Sequence, residues 1–163
     1  MNDLLSLSLY QPDIPTNTGS LLRLGACLGV PLQIIEPCGF VWDDKKLKRV
    51  AMDYIDHATY RRYKDWQDFK ENGTQSRIVL LSTQSSIPYT AFTFQPGDTL
   101  LLGRESAGVP EEIHQSANAR ILIPMINGAR SLNIALSAAV VLGEALRQLG
   151  GFPAKESPLT ARA

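Results

Sequence analysis

The chain is poor in the groups that build disulfide frameworks, metal centres and covalent active sites. Its 163 residues contain only two cysteines and two histidines. Cys27 and Cys38 supply neither a CxxC metal spacing nor a disulfide framework, and they read as reduced thiols. His57 and His114 stand in polar stretches with no nucleophile beside them, and no Gly-x-Ser-x-Gly elbow occurs. No His/Cys/Asp cluster has ligand spacing, so no metal is expected. An excess of either charge is also missing. Sixteen Lys and Arg balance 16 Asp and Glu, which argues against general polyanion coating and demands a local patch for any nucleic-acid contact. No apolar run is long enough to span a membrane, and Leu4 to Tyr10 is too short for a signal segment; the expectation is a cytoplasmic protein with no membrane partner.

What is present is an alternation of strand-like and helix-like segments. Leu5 to Tyr10 alternates apolar and polar residues with period two, as a strand does. Asn17 to Leu28 reads as a helix capped by Thr16 or Asn17 and stopped by Gly29. Leu32 to Ile35 is a second strand, and Asp43 caps a basic helix, Lys45 to Arg49. Asp65 to Glu71 is a short helix, Arg77 to Leu81 an apolar strand, and residues 84–97 a connecting loop. Thr99 to Leu102 is a strand, Pro110 with Glu111 and Glu112 opens a helix, and Ile121 to Ile123 is the last strand. The final helix, from Leu132 onward, is apolar almost all round, which predicts burial on most faces. Its polar positions Asn133, Ser137, Glu144 and Gln148 draw one seam, with Glu144 and Gln148 facing water or a partner. Strands alternating with helices predict one α/β domain over residues 1–150 with a mostly parallel sheet flanked by helices, ligands at the carboxyl ends of the strands, and a flexible tail over 151–163.

Three loops that follow predicted strands are rich in Gly, Asn, Ser and Arg: residues 11–23, 103–108 and 124–133. Gly19 and Arg23 lie four apart on one helix face, where the glycine leaves room beside a guanidinium suited to phosphate. Gly103 and Gly108 allow close backbone approach to a ligand, although the segment is neither GxGxxG nor a P-loop. Ser131 is a natural N-cap, and Asn133 faces either core hydrogen bonding or a ligand. The basic stretches Lys45 to Arg49 and Arg61 to Lys64 are either solvated faces or a phosphate-binding patch, in which Lys46 and Arg49 are the RNA candidates.

Together the blocks are more specific than any one alone. Asn-x-Gly-x-x-x-Arg at 17–23, Leu-Gly-x-Glu-x-x-Gly-Val-Pro at 102–110 and Ile-Pro-Met followed by Arg-Ser-Leu-Asn at 123–133 occur in that order. With Leu9 to Gly19, Ile35 to Phe40 and Trp42 to Lys45, the chain resembles the SPOUT class of RNA methyltransferases, and within it the small enzymes that methylate the 2′-oxygen of the tRNA wobble cytidine or uridine. The resemblance implies a deep C-terminal trefoil knot, bound S-adenosyl-L-methionine, S-adenosyl-L-homocysteine as product, no metal, a tRNA substrate, and a homodimer through the C-terminal helix and the region of Asn17 to Arg23. By position it implies cofactor contacts at Leu81, Gly103, Ile123 and Ser131, catalytic roles for Asn17, Arg23 and Asn133, and RNA contacts at Glu105 and Arg130. Relatives usually read Asn-Leu-Ser-Asn where this chain has Asn133-Ile134-Ala135-Leu136, and often carry Tyr at Gly143. The rival readings are methylation of another RNA, such as ribosomal RNA, and a catalytically weakened RNA-binding dimer.

Overall fold

The computed structural model describes residues 4–73, 76–156 and Leu159. Six strands, β1 (Leu5–Tyr10), β2 (Leu32–Ile35), β3 (Tyr60–Tyr63), β4 (Ile78–Leu81), β5 (Asp98–Leu102) and β6 (Ala119–Ile121), form one sheet in the order β3-β2-β1-β5-β4-β6. Every strand pair is parallel. Helices α1 (Pro15–Leu28), α2 (Asp44–Ala51), α3 (Trp66–Asn72), α4 (Glu111–Ser116) and α5 (Ile134–Leu149) flank it. One apolar cluster joins Leu7, Leu9, Leu100 and Leu102 to Leu21 and Leu22 of α1, Leu47 of α2 and Val141 and Leu142 of α5. A second joins Tyr10, Ile35, Leu80 and Leu101 to Phe69 of α3 and Ile113 of α4. Alternate residues of one strand therefore feed two cores, as expected for a sheet covered on both faces.

The period-two pattern of β1 marks a strand correctly, yet its polar positions are not solvated. Ser8 is fully buried, and Ser6 Oγ shares a 2.9 Å hydrogen bond with Thr99 Oγ1 on β5. The strand is central, so its serines face the second helical layer. At the opposite end of the sheet from the strand carboxyl termini, Arg77 donates through Nε and Nη2 to both oxygens of buried Asp98, at 2.8 and 2.7 Å. That fork ties the start of β4 to β5, and Gln95 N–H adds a third bond at 2.9 Å.

Several local expectations are corrected. Strand β3 arises from the basic stretch Arg61 to Lys64: it is an edge strand with outward arginines, a composition that discourages further strand pairing. Helix α1 starts two residues early, because Pro15 at its first position fixes a helical φ; Ile14, not Thr16 or Asn17, is the cap, and it makes no side-chain cap bond. Strand β6 ends at Ile121, since Leu122 N–H turns to Ile87 O and Tyr89 N–H to Leu122 O. Asn133, not Ser131, caps α5, accepting from the amides of Ala135 and Leu136 at 2.9 and 3.3 Å. That helix is buried on one face only: Leu136 and Val140 are 61% and 42% exposed. Gln148 does not face water. It donates to Phe92 O and accepts from Phe94 N–H, both at 3.0 Å, and so pins the segment before β5. Beside it, hydrogen bonds from Arg147 and Gln148 hold the Glu144 carboxyl down at about 2. Of the tail after Gly150, residues 151–156 and Leu159 are described; Ser157, Pro158 and residues 160–163 lie outside the described residues.

Candidate active site

The sheet reverses its winding between β1 and β5, and the loops leaving neighbouring strand ends there diverge to leave a crevice. A cavity of about 540 Å³ fills it, within the range of small-molecule sites. Its walls come from the ends of β4 and β5, the Gly103–Gly108 segment, Ile123 and Met125, and the Ser131–Ile134 entry to α5.

Three loops distant in sequence meet at its rim. Asn133 Nδ2 donates to Asn17 Oδ1 at 3.0 Å, and Asn17 Nδ2 in turn donates to Glu105 Oε1 at 3.4 Å. Glu105 Oε2 accepts from the Asp13 amide at 2.8 Å. The result is a polar chain of fixed direction, donor to acceptor, ending on a carboxylate. Asn17 is available for it because α1 is opened by Pro15, which leaves the Asn17 amide in the first helical turn rather than at the cap. Asn133 serves two tasks at once, its oxygen capping α5 while its nitrogen reaches across the rim.

The Gly103–Gly108 wall doubles back on itself, with Arg104 N–H donating to Gly108 O at 2.9 Å and Gly108 N–H to Arg104 O at 2.8 Å. A Cβ at Gly103 would stand 2.7 Å from both Gly108 Cα and its carbonyl carbon, so only glycine lets the two arms approach this closely. Gly108 turns the chain at φ 62°. Arg104 Nε and both ring nitrogens of His114 are buried with no protein partner, although both residues line the cavity. Hydrogen bonds from the Ser106 hydroxyl and amide hold the Asp13 carboxyl below its ordinary value, against the opposing effect of burial.

Asn17, Leu81, Gly103, Glu105, Ile123, Ser131 and Asn133 thus line one cavity, and Arg23, Arg130, Lys46 and Arg49 do not. Arg130 is exposed on the loop just before Ser131, and Lys46 and Arg49 are exposed on α2. Arg23 is exposed on α1, its guanidinium 5.0 Å from the Tyr54 ring centre and Nη1 2.9 Å from Met52 Sδ. Gly19 makes no room for it. A Cβ there would lie 2.6 Å from Val50 Cβ, so the glycine serves the packing of α2 on α1. Arg62 is occupied by Glu36 and lies over the Trp42 ring, which removes it from a free cationic patch. Sequence reasoning missed Asp13, Ser106 and His114. The first two are joined across more than ninety residues, and His114 had only its polar neighbours to suggest a surface position. Among the described residues no group of three or more His, Cys, Asp and Glu is arranged to hold a metal, and no helix is long and apolar enough to cross a membrane.

Residues 4–143 match the SpoU rRNA Methylase family. The chain is 56% identical over 148 residues to the tRNA (cytidine(34)-2'-O)-methyltransferase of Beijerinckia indica, covering 90% of this chain and 92% of that one. Among solved structures it superposes with a TM-score of 0.85, at 40% identity over 90% of this chain and 97% of the other, on one described as structural insights into the 2-OH methylation of C/U34 on tRNA. It is also similar to the SpoU methyltransferase AviRb of Streptomyces viridochromogenes in complex with the cofactor AdoMet, with a TM-score of 0.79 and 26% identity, covering 91% of this chain and 62% of that one.

Proposed function

The chain belongs to the SpoU rRNA Methylase family, and from that premise we propose that it methylates the ribose 2′-oxygen of the wobble nucleotide, cytidine or uridine 34, in the tRNA anticodon loop. The observation that carries this reading is the meeting of Asn17, Glu105 and Asn133 at the rim of a glycine-walled cavity, in a chain similar over nine tenths of its length to an enzyme of that name. The methyl donor is S-adenosylmethionine, and two features of the cavity suit it. The Gly103–Gly108 wall offers backbone without side chains in the way, and buried Arg104 and His114 nitrogens without protein partners give its lining polar character. Leu81, Gly103, Ile123 and Ser131 would hold it.

When bound, the cofactor supplies a sulfonium methyl whose carbon–sulfur bond breaks as the ribose oxygen bonds to it, leaving S-adenosylhomocysteine and releasing the hydroxyl proton. The protein contributes alignment. The Asn133–Asn17–Glu105 chain orients polar groups at the mouth, with the Glu105 carboxylate at its accepting end. The role of Arg23 is to hold the phosphate next to the reacting ribose. In this reading a second copy covers Leu132, Leu136 and Val140, and Arg23 belongs to the exposed side of α1 that meets the RNA. Arg130, Lys46 and Arg49 supply phosphate contacts. A C-terminal knot, homodimerisation and a cytoplasmic location form part of the same proposal.

The test is nucleoside mass mapping of tRNA from a strain lacking the gene. Loss of 2′-O-methylation at position 34, restored by the purified protein with S-adenosylmethionine, is the expected result. Intact position 34 with a methyl missing from ribosomal RNA sinks the tRNA assignment. Arg23→Ala is expected to lower methylation at least about 100-fold, a loss of ~2.7 kcal/mol of transition-state stabilisation, while the calorimetric Kd for the cofactor stays near native. Near-normal turnover by that variant removes Arg23 from the mechanism.

A further inference from the structure

Asp13 is the one acidic residue of the β1–α1 loop, and it does not line the cavity. Its contacts nevertheless reach the cavity wall. Oδ2 accepts from Ser106 Oγ at 2.5 Å and from the Ser106 amide at 3.0 Å. In the opposite direction the Asp13 amide donates to Glu105 Oε2 at 2.8 Å. Each side chain thus bonds the other loop's backbone, a reciprocal clasp between segments more than ninety positions apart. Charge-assisted bonds of this length are the strong kind.

The clasp is supported from behind. Gly39 N–H donates to Pro12 O at 2.9 Å, and a Cβ at Gly39 would stand 3.0 Å from both Asp13 Cα and Oδ1. The loop after β2 therefore fits closely against Asp13 and leaves its carboxylate little freedom to retreat. On the far side, Ser106 and Ala107 are exposed, and within the wall only the paired bonds between Arg104 and Gly108 hold the arms together. The position of the wall against the β1–α1 loop is set from outside the wall, by Asp13.

We propose that Asp13 is a positioning residue for methyl transfer: it fixes the Gly103–Gly108 wall of the methyl-donor cavity, and the orientation of Glu105 within it, by clasping Ser106. The proposal rests on the functional reading above. A wall held in place before binding spares the ligand the entropy of ordering it, so loss of the clasp appears as weaker cofactor binding.

Calorimetry with S-adenosylhomocysteine on the full chain tests this. Asp13→Ala is expected to weaken binding by about tenfold or more, in keeping with loss of a charge-assisted pair. Asp13→Asn keeps an oxygen where Oδ2 stands, and is expected to recover affinity to within about threefold of native, as a neutral bond in the same geometry allows. Ser106→Ala and Gly39→Ala reach the clasp from its other partner and from behind, and both are expected to weaken binding without Asp13 being altered. They carry the test if Asp13→Ala does not fold. Native affinity in Asp13→Ala, in Ser106→Ala with Gly39→Ala, or a loss in Asp13→Asn equal to that in Asp13→Ala, overturns the proposal alone. Failure of the unaltered protein to bind S-adenosylhomocysteine overturns the functional reading and this proposal with it.

Discussion

Gly103→Ala is expected to weaken S-adenosylmethionine binding by roughly 5- to 150-fold, the equivalent of the ~1–3 kcal/mol that overpacking a tight site costs. The added methyl meets backbone on its far side: Gly108 Cα and carbonyl carbon at 2.7 Å and Gly108 O at 3.1 Å. No side chain can rotate away to accept it. The two arms must separate, and the paired bonds between Arg104 and Gly108 that define the wall then lengthen. Because the wall is surface loop rather than core, folding suffers less than binding. The matching substitution at Gly143 provides the control. Nothing lies within 4 Å of a Cβ there, so Gly143→Ala exchanges a helix-interior glycine for the best helix former and gains about 0.5–1 kcal/mol. Calorimetric Kd and thermal melting for the two variants separate these effects. Cofactor affinity in Gly103→Ala equal to native removes the Gly103–Gly108 wall from the binding site.

The contrast between these glycines shows what was legible in the chain and what was not. Strands β1 and β2 were readable to the residue, because a period-two alternation in one and a short apolar segment in the other, each followed by Pro, need only local information. Convergence of three loops at the carboxyl edge was also readable, since an alternating α/β pattern places strand ends on one side. The edge strand β3 was not, because its arginines obscure the apolar signal that Tyr60 and Tyr63 carry on their own. Which glycine meets backbone and which meets open space depends on residues distant in sequence. Gly19 illustrates the point: spacing paired it with Arg23, whereas the fold packs it against Val50. The same holds for α5. An apolar composition on all sides predicts burial on most faces, whereas the chain covers only the face bearing Ser137, Ala138, Val141, Leu142, Ala145 and Leu146. The direction of the rim's hydrogen bonds was beyond any pattern, since it requires Asn17, Glu105 and Asn133 to be brought together.

That direction makes Asn133→Asp the most informative change at the rim. Aspartate keeps the oxygen that caps α5, and its charge at a helix N-terminus adds about 0.3–1 kcal/mol, so the variant is expected to melt at or slightly above the native temperature. It loses the nitrogen that donates to Asn17. Oxygen then faces oxygen at that contact. Turning the Asn17 amide over repairs it, but presents the Asn17 oxygen to Glu105 in place of the donating nitrogen. One acceptor pair is therefore unsatisfied in either arrangement, and Glu105 and the new carboxylate share a single amide. Asn133 is exposed, so water reaches the unpaired oxygens, and the loss of one net hydrogen bond of ~0.5–1.5 kcal/mol is expected to lower methylation by up to about tenfold. Asn133→Ala removes cap and donor together and is expected to lose ~1 kcal/mol of stability as well. Melting temperature and single-turnover methylation across native protein, Asn133→Asp and Asn133→Ala resolve the two tasks of this residue. If Asn133→Asp is as active as native, Asn133 is a helix cap alone, and the Asn133–Asn17–Glu105 chain has no part in placing the ribose.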